Sequence, residues 1–139
     1  MLIPQVYIGE NWFSLDEVFN SYKNPLCGGV DIFIGVARSA PEDGEVEELH
    51  YEAYISMAEK VINEIIQEAK EKFNIHHCVV HHRTGVVPVG VPSFLVVVWA
   101  GHRQEAFAGC RYVVDNVKAR APIWKKEVFK SGKTQWKES

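Results

Sequence analysis

The sequence predicts an α+β fold in one domain, with a mostly antiparallel sheet, about three helices and a C-terminal hairpin. Its 139 residues, 47% hydrophobic and 24% charged, suit a single domain with its own core. The apolar patterns run in the order strand, helix, two strands, helix, strands, helix, hairpin, which lacks the regular alternation of a doubly wound sheet. Only a loop separates the predicted strands at 30–36 and 46–54, whereas a parallel pair needs a longer crossover. Residues 1–139 are therefore predicted to form one domain.

The first half of the chain carries clear element signals. Residues 5–8 predict a short strand, and Ser14 with Glu17 forms the capping-box pattern that begins a helix. Asn24 and Pro25 end that helix. Apolar and polar residues alternate in 30–36 and again around 49–53, which indicates strands. The proline, glycine and acids of 39–45 predict a mobile surface loop.

The second half repeats this logic. Ser56 and Glu59 predict another capped helix, whose buried residues would be Ala58, Val61, Ile62, Ile65, Ala69 and Phe73. Residues 75–82 are β-rich, 85–90 predict a turn or irregular hairpin, and the apolar run 94–99 predicts a central strand buried on both faces. A helix over 104–120 must end before Pro122. Segments 123–129 and 134–136 predict the final hairpin.

Composition excludes several classes of protein. A net charge of −3 argues against nucleic-acid binding, and no aromatic-basic platform for RNA is visible. The longest apolar run, 94–100, is shorter than the ~20 residues of a membrane helix, and the first residues lack a secretion signal. A cytoplasmic, soluble protein without a membrane partner is expected.

Metal and nucleotide chemistry also lack their usual patterns. The three cysteines are far apart without a C-x-x-C pair, so we expect them to be reduced and mostly buried. Four histidines lie at 76, 77, 81 and 82, but on a strand they divide between two faces. We expect no metal and expect surface or interface histidines. No glycine-rich phosphate loop and no G-x-S-x-G motif is present, so no cofactor is predicted.

The chemically informative residues are cations at predicted element ends, where ligand sites often form: Arg38, His102, Arg103, Lys118, Arg120, Lys125 and Lys126. Each of these cations also has an explanation that requires no ligand site. Lys118 follows Arg111 and Asp115 at the spacing of a solvated, ion-paired helix face. Adjacent lysines also protect edge strands, and at most one of them readily enters a given pocket. Surface arginines and a capping histidine would account for the others.

Five strings resemble the large subunit of molybdopterin synthase in order and spacing. They are GVAR, HYEAYISMAEK, HHRTG, AGHR and RAPIWKKE, and they extend from about residue 30 to the terminal hairpin. The last string, preceded by Lys118, is the most specific. The resemblance implies an α/β hammerhead fold.

The resemblance also implies a function. The family converts cyclic pyranopterin monophosphate to molybdopterin, taking sulfur from the thiocarboxylated Gly-Gly terminus of a ubiquitin-like small subunit, without a metal for this step. Its large subunit forms a homodimer at the centre of a heterotetramer. Matched by position, Lys118 and Lys125 are the catalytic residues; the substrate site comprises Ala37, Arg38, His102, Arg103, Lys118, Lys125, Lys126 and Glu127.

This implied sulfurtransferase chemistry agrees with the residue types. Preorganised cations in a partly dry pocket stabilise developing negative charge. Crowded cations should also lower the pKa of a lysine, so that a neutral amine is available. The alternative is a noncatalytic adaptor that only docks a ubiquitin-like protein. An adaptor has no need for the whole cationic set.

Overall fold

The α+β fold is confirmed in the computed structural model, which describes residues 2–39 and 45–138. Within these ranges three helices and eight strands follow one another in a single domain. They are β1 (Val6–Gly9), α1 (Leu15–Ser21), β2 (Gly29–Val36), β3 (Val46–Ala53), α2 (Ile55–Phe73), β4 (Ile75–Arg83), β5 (Gly85–Pro88), β6 (Pro92–Ala100), α3 (Arg103–Arg120), β7 (Ile123–Phe129) and β8 (Thr134–Glu138). The predicted C-terminal hairpin is the β7–β8 pair.

The strands form two four-stranded sheets, in the orders β1-β4-β6-β2 and β5-β3-β7-β8. Only the β1–β4 pair is parallel among the described strands, so the prediction of mostly antiparallel pairing is confirmed. The sequence did not indicate the division into two sheets. Nor did it indicate β5, which pairs with β3 inside the segment predicted as a turn or irregular hairpin.

The central part of the first sheet is covered on both faces. The predicted central strand is β6, and every residue from Phe94 to Ala100 is at most 3% exposed. Helices α2 and α3 pack on one face through a continuous apolar core. On the other face Val18 of α1 joins a smaller cluster with strand residues that include Trp99. This double cover explains the uninterrupted apolar run, because neither face of β6 meets water.

The two predicted helix caps have different outcomes. The Ser14 side chain accepts a hydrogen bond from the amide of Glu17, and the full capping box is present. The prediction of a cap at Ser56 was wrong: α2 begins at Ile55 with Tyr54 as its N-cap residue, and no side chain caps the helix. The Tyr54 amide donates to the Pro122 carbonyl at 3.1 Å. The chain is fixed there by β7, and the helix starts before Ser56 is reached.

Two further predictions concern loops and membranes. Most of the predicted mobile loop, residues 40–44, lies outside the described residues. No helix in the described part of the chain is long and apolar enough to cross a membrane.

Candidate functional site

Three of the predicted cations line one pocket where the two sheets meet. Arg38 follows the end of β2, Lys118 lies in the last turn of α3, and Lys125 is the third residue of β7. Arg38 and Lys118 are exposed at the pocket, whereas Lys125 is partly buried. The fold therefore brings together side chains up to 87 residues apart in sequence.

The rest of the pocket lining is uncharged or neutral and contains no acidic residue. It comprises Gly35, Val36, Leu49, Tyr51, His82, Ser93 and Phe94. The pocket volume is about 130 Å³, which at ~30 Å³ per water is room for roughly four water molecules. A small anionic group, such as a carboxylate, thiocarboxylate or phosphate, matches both this size and the excess of cations.

His82 is a rigid, neutral part of the pocket. It is 4% exposed, and its ring packs against the rings of Tyr51 and Phe94 at centroid distances of 5.0 and 5.3 Å. The pKa of His82 is lowered to about 4, mainly because the ring is buried; a backbone hydrogen bond to Arg83 opposes this shift and the charge of Lys118 adds to it. That bond runs from Nδ1 to the Arg83 carbonyl at 2.8 Å. The tautomer with the proton on Nδ1 is thereby favoured.

The pKa of the Lys125 amine is lowered, which is the direction that the sequence predicted for a lysine among other cations. Its pKa is lowered mainly because burial removes water from the ammonium, and next because Lys118 is close. Lys137 and Arg38 lower the pKa of Lys125 further, while Glu127 raises it. The direction of this shift is the one expected from the sequence, although burial contributes more to it than the neighbouring cations.

Lys126 and Glu127 do not line this pocket. Lys126 lies on the opposite face of β7, where its Nζ is 5.6 Å from the centroid of the Trp136 ring. Protection of an edge strand does not explain the two lysines, since β7 lies between β3 and β8. Glu127 is 5% exposed and its Oε1 is 2.8 Å from Lys137 Nζ.

Ala37 borders the pocket through its neighbours Val36 and Arg38. It is buried, and its backbone is fixed on both sides: its amide donates to the Val91 carbonyl at 3.0 Å, and its carbonyl accepts from the Gly90 amide at 2.7 Å. These two bonds hold the start of the loop that carries Arg38.

His102 and Arg103 lie at the other end of α3. Fifteen residues separate Arg103 from Lys118, which on a helix is about 22 Å. His102 and Arg103 line a separate surface pocket, and the His102 side chain is 88% exposed. One chain therefore does not bring them to Lys118, and their roles stay predictions.

Other cations near the pocket serve the scaffold. Arg120 binds Glu68 of α2 through two nitrogens, at 2.7 and 2.9 Å. Arg111 and Asp115 form the exposed ion pair that the helix spacing indicated, at 3.6 Å. Lys118 is not part of that pair, and its Nζ lies 5.7 Å from the centroid of the Phe94 ring.

The expectation of surface or interface histidines was wrong for His81 and His82, which are 1% and 4% exposed. Both faces of β4 are covered from residue 78 to residue 82, so alternating side chains are buried there whichever way they point, whereas His76 remains exposed. His81 Nε2 donates to the Pro4 carbonyl at 2.7 Å. In the described ranges no group of three or more histidine, cysteine, aspartate or glutamate side chains could hold a metal ion.

Sequence reasoning did not identify Tyr51, His82 and Ser93 as pocket residues. Ser93 Oγ donates to Tyr51 Oη at 3.2 Å, and both hydroxyls are buried. One signal was available for His82: it shares the face of β4 with Cys78 and Val80, whose apolar character indicates the core side. No signal marked Ser93.

The fold and pocket define a small α+β protein with a cationic site for an anionic group. Residues 8–120 match the family model described as MoaE protein. The bovine molybdopterin synthase catalytic subunit is 40% identical over 124 residues, covering 89% of this chain and 66% of the bovine protein. The subunit of the same name from Thermoplasma volcanium is 37% identical and covers 98% and 99% of the two chains. The chain belongs to the MoaE family of molybdopterin synthase catalytic subunits.

Solved structures agree with this assignment. The crystal structure of molybdopterin synthase from Staphylococcus aureus superposes with a TM-score of 0.91 at 30% identity, covering 99% of each chain. The chain spans somewhat less than two thirds of the length of the mammalian relatives it matches, with 66%, 62% and 65% for the bovine, rat and human proteins.

Proposed function

We propose that this chain is the large, catalytic subunit of a molybdopterin synthase, acting in the cytoplasm as a sulfurtransferase. Sulfur passes from the thiocarboxylated C-terminus of a ubiquitin-like small subunit to cyclic pyranopterin monophosphate and forms the dithiolene of molybdopterin. The observation that carries the proposal is the pocket itself, where Arg38, Lys118 and Lys125 converge without an acidic lining residue. The names of the relatives support the same assignment.

Each pocket cation has a distinct part in this proposal. Arg38 is permanently charged and binds an anionic oxygen or sulfur. Lys118, at the open side, meets the incoming thiocarboxylate and stabilises negative charge that develops during transfer. Lys125 has a lowered pKa, so a fraction of its amine is neutral and able to accept a proton. His82 remains neutral and adds no further repulsion.

A second copy of the chain is needed if His102 and Arg103 belong to the same site. Strand β2 is one of the two edge strands of the first sheet and spans eight residues, Gly29–Val36. Its Ile32, Ile34 and Val36 are 38%, 39% and 48% exposed. A long apolar edge without lysine or proline is a ready template for another strand. Homodimerisation through β2 would cover it.

Such pairing would also complete the site. In a two-fold antiparallel pair centred between Ile32 and Phe33, Gly29 of one copy lies beside Val36 of the other. A Cβ on Gly29 would be 3.1 Å from the backbone of Arg103, so Gly29 and the start of α3 are in contact. The second copy would therefore bring its His102 and Arg103 to the end of β2 that carries Arg38.

Replacement of Lys118 tests the proposal. Lys118→Ala should fold normally and bind the small subunit, yet lose dithiolene formation by about 100-fold or more, because a preorganised charge at the reacting group is gone. Product is measured by mass spectrometry after mixing the variant with thiocarboxylated small subunit and precursor. Lys133→Ala, an exposed lysine in the β7–β8 turn, is the matched control. Unchanged turnover in Lys118→Ala contradicts the assigned role.

A further inference from the structure

Lys137 of β8 lies directly opposite Lys125 of β7 in the register of the terminal hairpin. Like charges at directly opposed positions of antiparallel strands repel and destabilise the pair. Lys137 is also largely shielded, with 35% of its side chain exposed. The repulsion between Lys137 and the candidate catalytic amine of Lys125 has to be offset by a neighbouring acid.

Glu127 provides that acid. It lies two residues after Lys125 on the same face of β7 and is 5% exposed. Its Oε1 is 2.8 Å from Lys137 Nζ, across the diagonal of the hairpin. A buried carboxylate needs a paired cation. Since Lys125 and Lys137 both lie next to Glu127, the ion pair with Lys137 determines which lysine has a counter-ion.

We infer that Lys137 is a positioning residue of the candidate site: by holding the buried carboxylate of Glu127, it withholds that counter-ion from the Lys125 amine. Lys137 is not among the residues that line the pocket. It acts through Glu127. Its catalytic significance rests on the proposed function, whereas its effect on Lys125 does not.

The surroundings of Lys125 agree with this inference. Lys118 from α3 and Arg38 beyond β2 add positive charge, and Tyr51 faces Lys125 directly from β3. His82 from β4 contributes a neutral ring. Glu127 is the acid that raises the pKa of Lys125, and Lys137 is among the cations that lower it. The competition for Glu127 therefore adds to the larger effects of burial and Lys118 on how much of the Lys125 amine is neutral.

The direct test is the reactivity of Lys125 toward acetic anhydride as a function of pH, measured by peptide mass spectrometry on the whole chain. In Lys137→Met the midpoint for Lys125 should rise by about one pH unit, because Glu127 is released to it and a repulsive charge is removed. Lys133→Met in the same hairpin should leave the midpoint unchanged. A midpoint in Lys137→Met that is unchanged or lower overturns the inference.

A double-mutant cycle separates the shared counter-ion from simple repulsion. In a Glu127→Gln background no carboxylate can be released, so Lys137→Met should move the midpoint by less than half as much. An equal shift in both backgrounds overturns the counter-ion step. Circular dichroism of each variant checks the fold, and the single variant Lys137→Met remains informative if Glu127→Gln unfolds.

Turnover measurements distinguish the effect of Lys137 on Lys125 from the proposed catalytic role of Lys125. In the complex with thiocarboxylated small subunit, the pH at which kcat is half-maximal on its rising limb should move up with the Lys125 midpoint, while KM for the precursor stays within about twofold. A shift in reactivity without a shift in the kcat profile supports the role of Lys137 and removes Lys125 from the proposed chemistry.

Discussion

The Arg120 guanidinium and the Tyr112 hydroxyl both donate to the carboxylate of Glu68, and they join α2 to the part of α3 that contains Lys118. These hydrogen bonds lower the pKa of Glu68 from 4.5 to about 2, Arg120 first and Tyr112 second. A carboxylate whose pKa is lower in the folded than in the unfolded chain stabilises the folded state, and this stabilisation is complete at pH values above the pKa of the unfolded chain. That contribution is lost as the pH falls from 4.5 toward 2.

Glu68→Gln should therefore flatten the acid limb of the stability profile. We expect the variant to have a lower urea midpoint than the parent at pH 7 and to lose less stability between pH 5 and pH 3. Glu71→Gln, an exposed glutamate on the same helix, is the control and should follow the parent. Parallel profiles for Glu68→Gln and the parent would disprove the role of this pair.

Single residues show where sequence reasoning succeeds and where it ends. Arg38, Lys118 and Lys125 could be selected because each lies at or near the end of a recognisable element, and the pocket gathers all three. The separation of Arg103 from Lys118 already follows from the predicted helix over 104–120, which places the two residues near opposite ends of α3. The burial of His82 was indicated only by the apolar Cys78 and Val80 on the same face of β4, and no local pattern showed that the opposite face, which carries His81, is covered as well.

At the scale of elements, the contrast between Ser14 and Ser56 tests how caps act. Ser14→Ala should cost about 1 kcal/mol, because it removes the hydrogen bond to the Glu17 amide at the start of α1. Ser56→Ala should be neutral or slightly stabilising, since Ser56 lies inside the first turn of α2 and alanine has the higher helix propensity. Urea unfolding of both variants measures this. No loss of stability in Ser14→Ala would show that the Ser14 cap does not stabilise α1, and a clear loss in Ser56→Ala would contradict the neutral role of Ser56.

Elements whose signals are local were predicted well. The capping box of α1, the alternation in β2 and the stop at Pro122 all depend on a few neighbouring residues, and each lies where expected. The start of α2 and the existence of β5 depend instead on partners elsewhere in the chain. The Pro122 carbonyl accepts a hydrogen bond from the Tyr54 amide before α2, and β5 forms by pairing with β3.

At the scale of the whole molecule, the exposed apolar residues of the edge strand β2 indicate a partner. Ile34→Glu places a charge on the apolar face of β2 and should convert a homodimer to monomers, measured by sedimentation velocity. Ile55→Glu, which alters another exposed isoleucine of similar accessibility at 44% against 39%, should leave the oligomeric state unchanged. A dimer that persists in Ile34→Glu rules out the β2 interface. Loss of turnover in the same variant would agree with a site completed by two chains.

The pocket takes its lining from β3, β4, β6, β7, α3 and the end of β2, and thus from both sheets. No fragment of the chain holds more than a small part of it, and unfolding disperses it entirely. An anion that binds this pocket therefore binds only the folded domain and stabilises it against unfolding. Once the free anion concentration exceeds Kd, the stabilisation grows with the logarithm of that concentration, and the melting temperature rises with it. Thermal shift with simple oxyanions would report on this small pocket without any turnover.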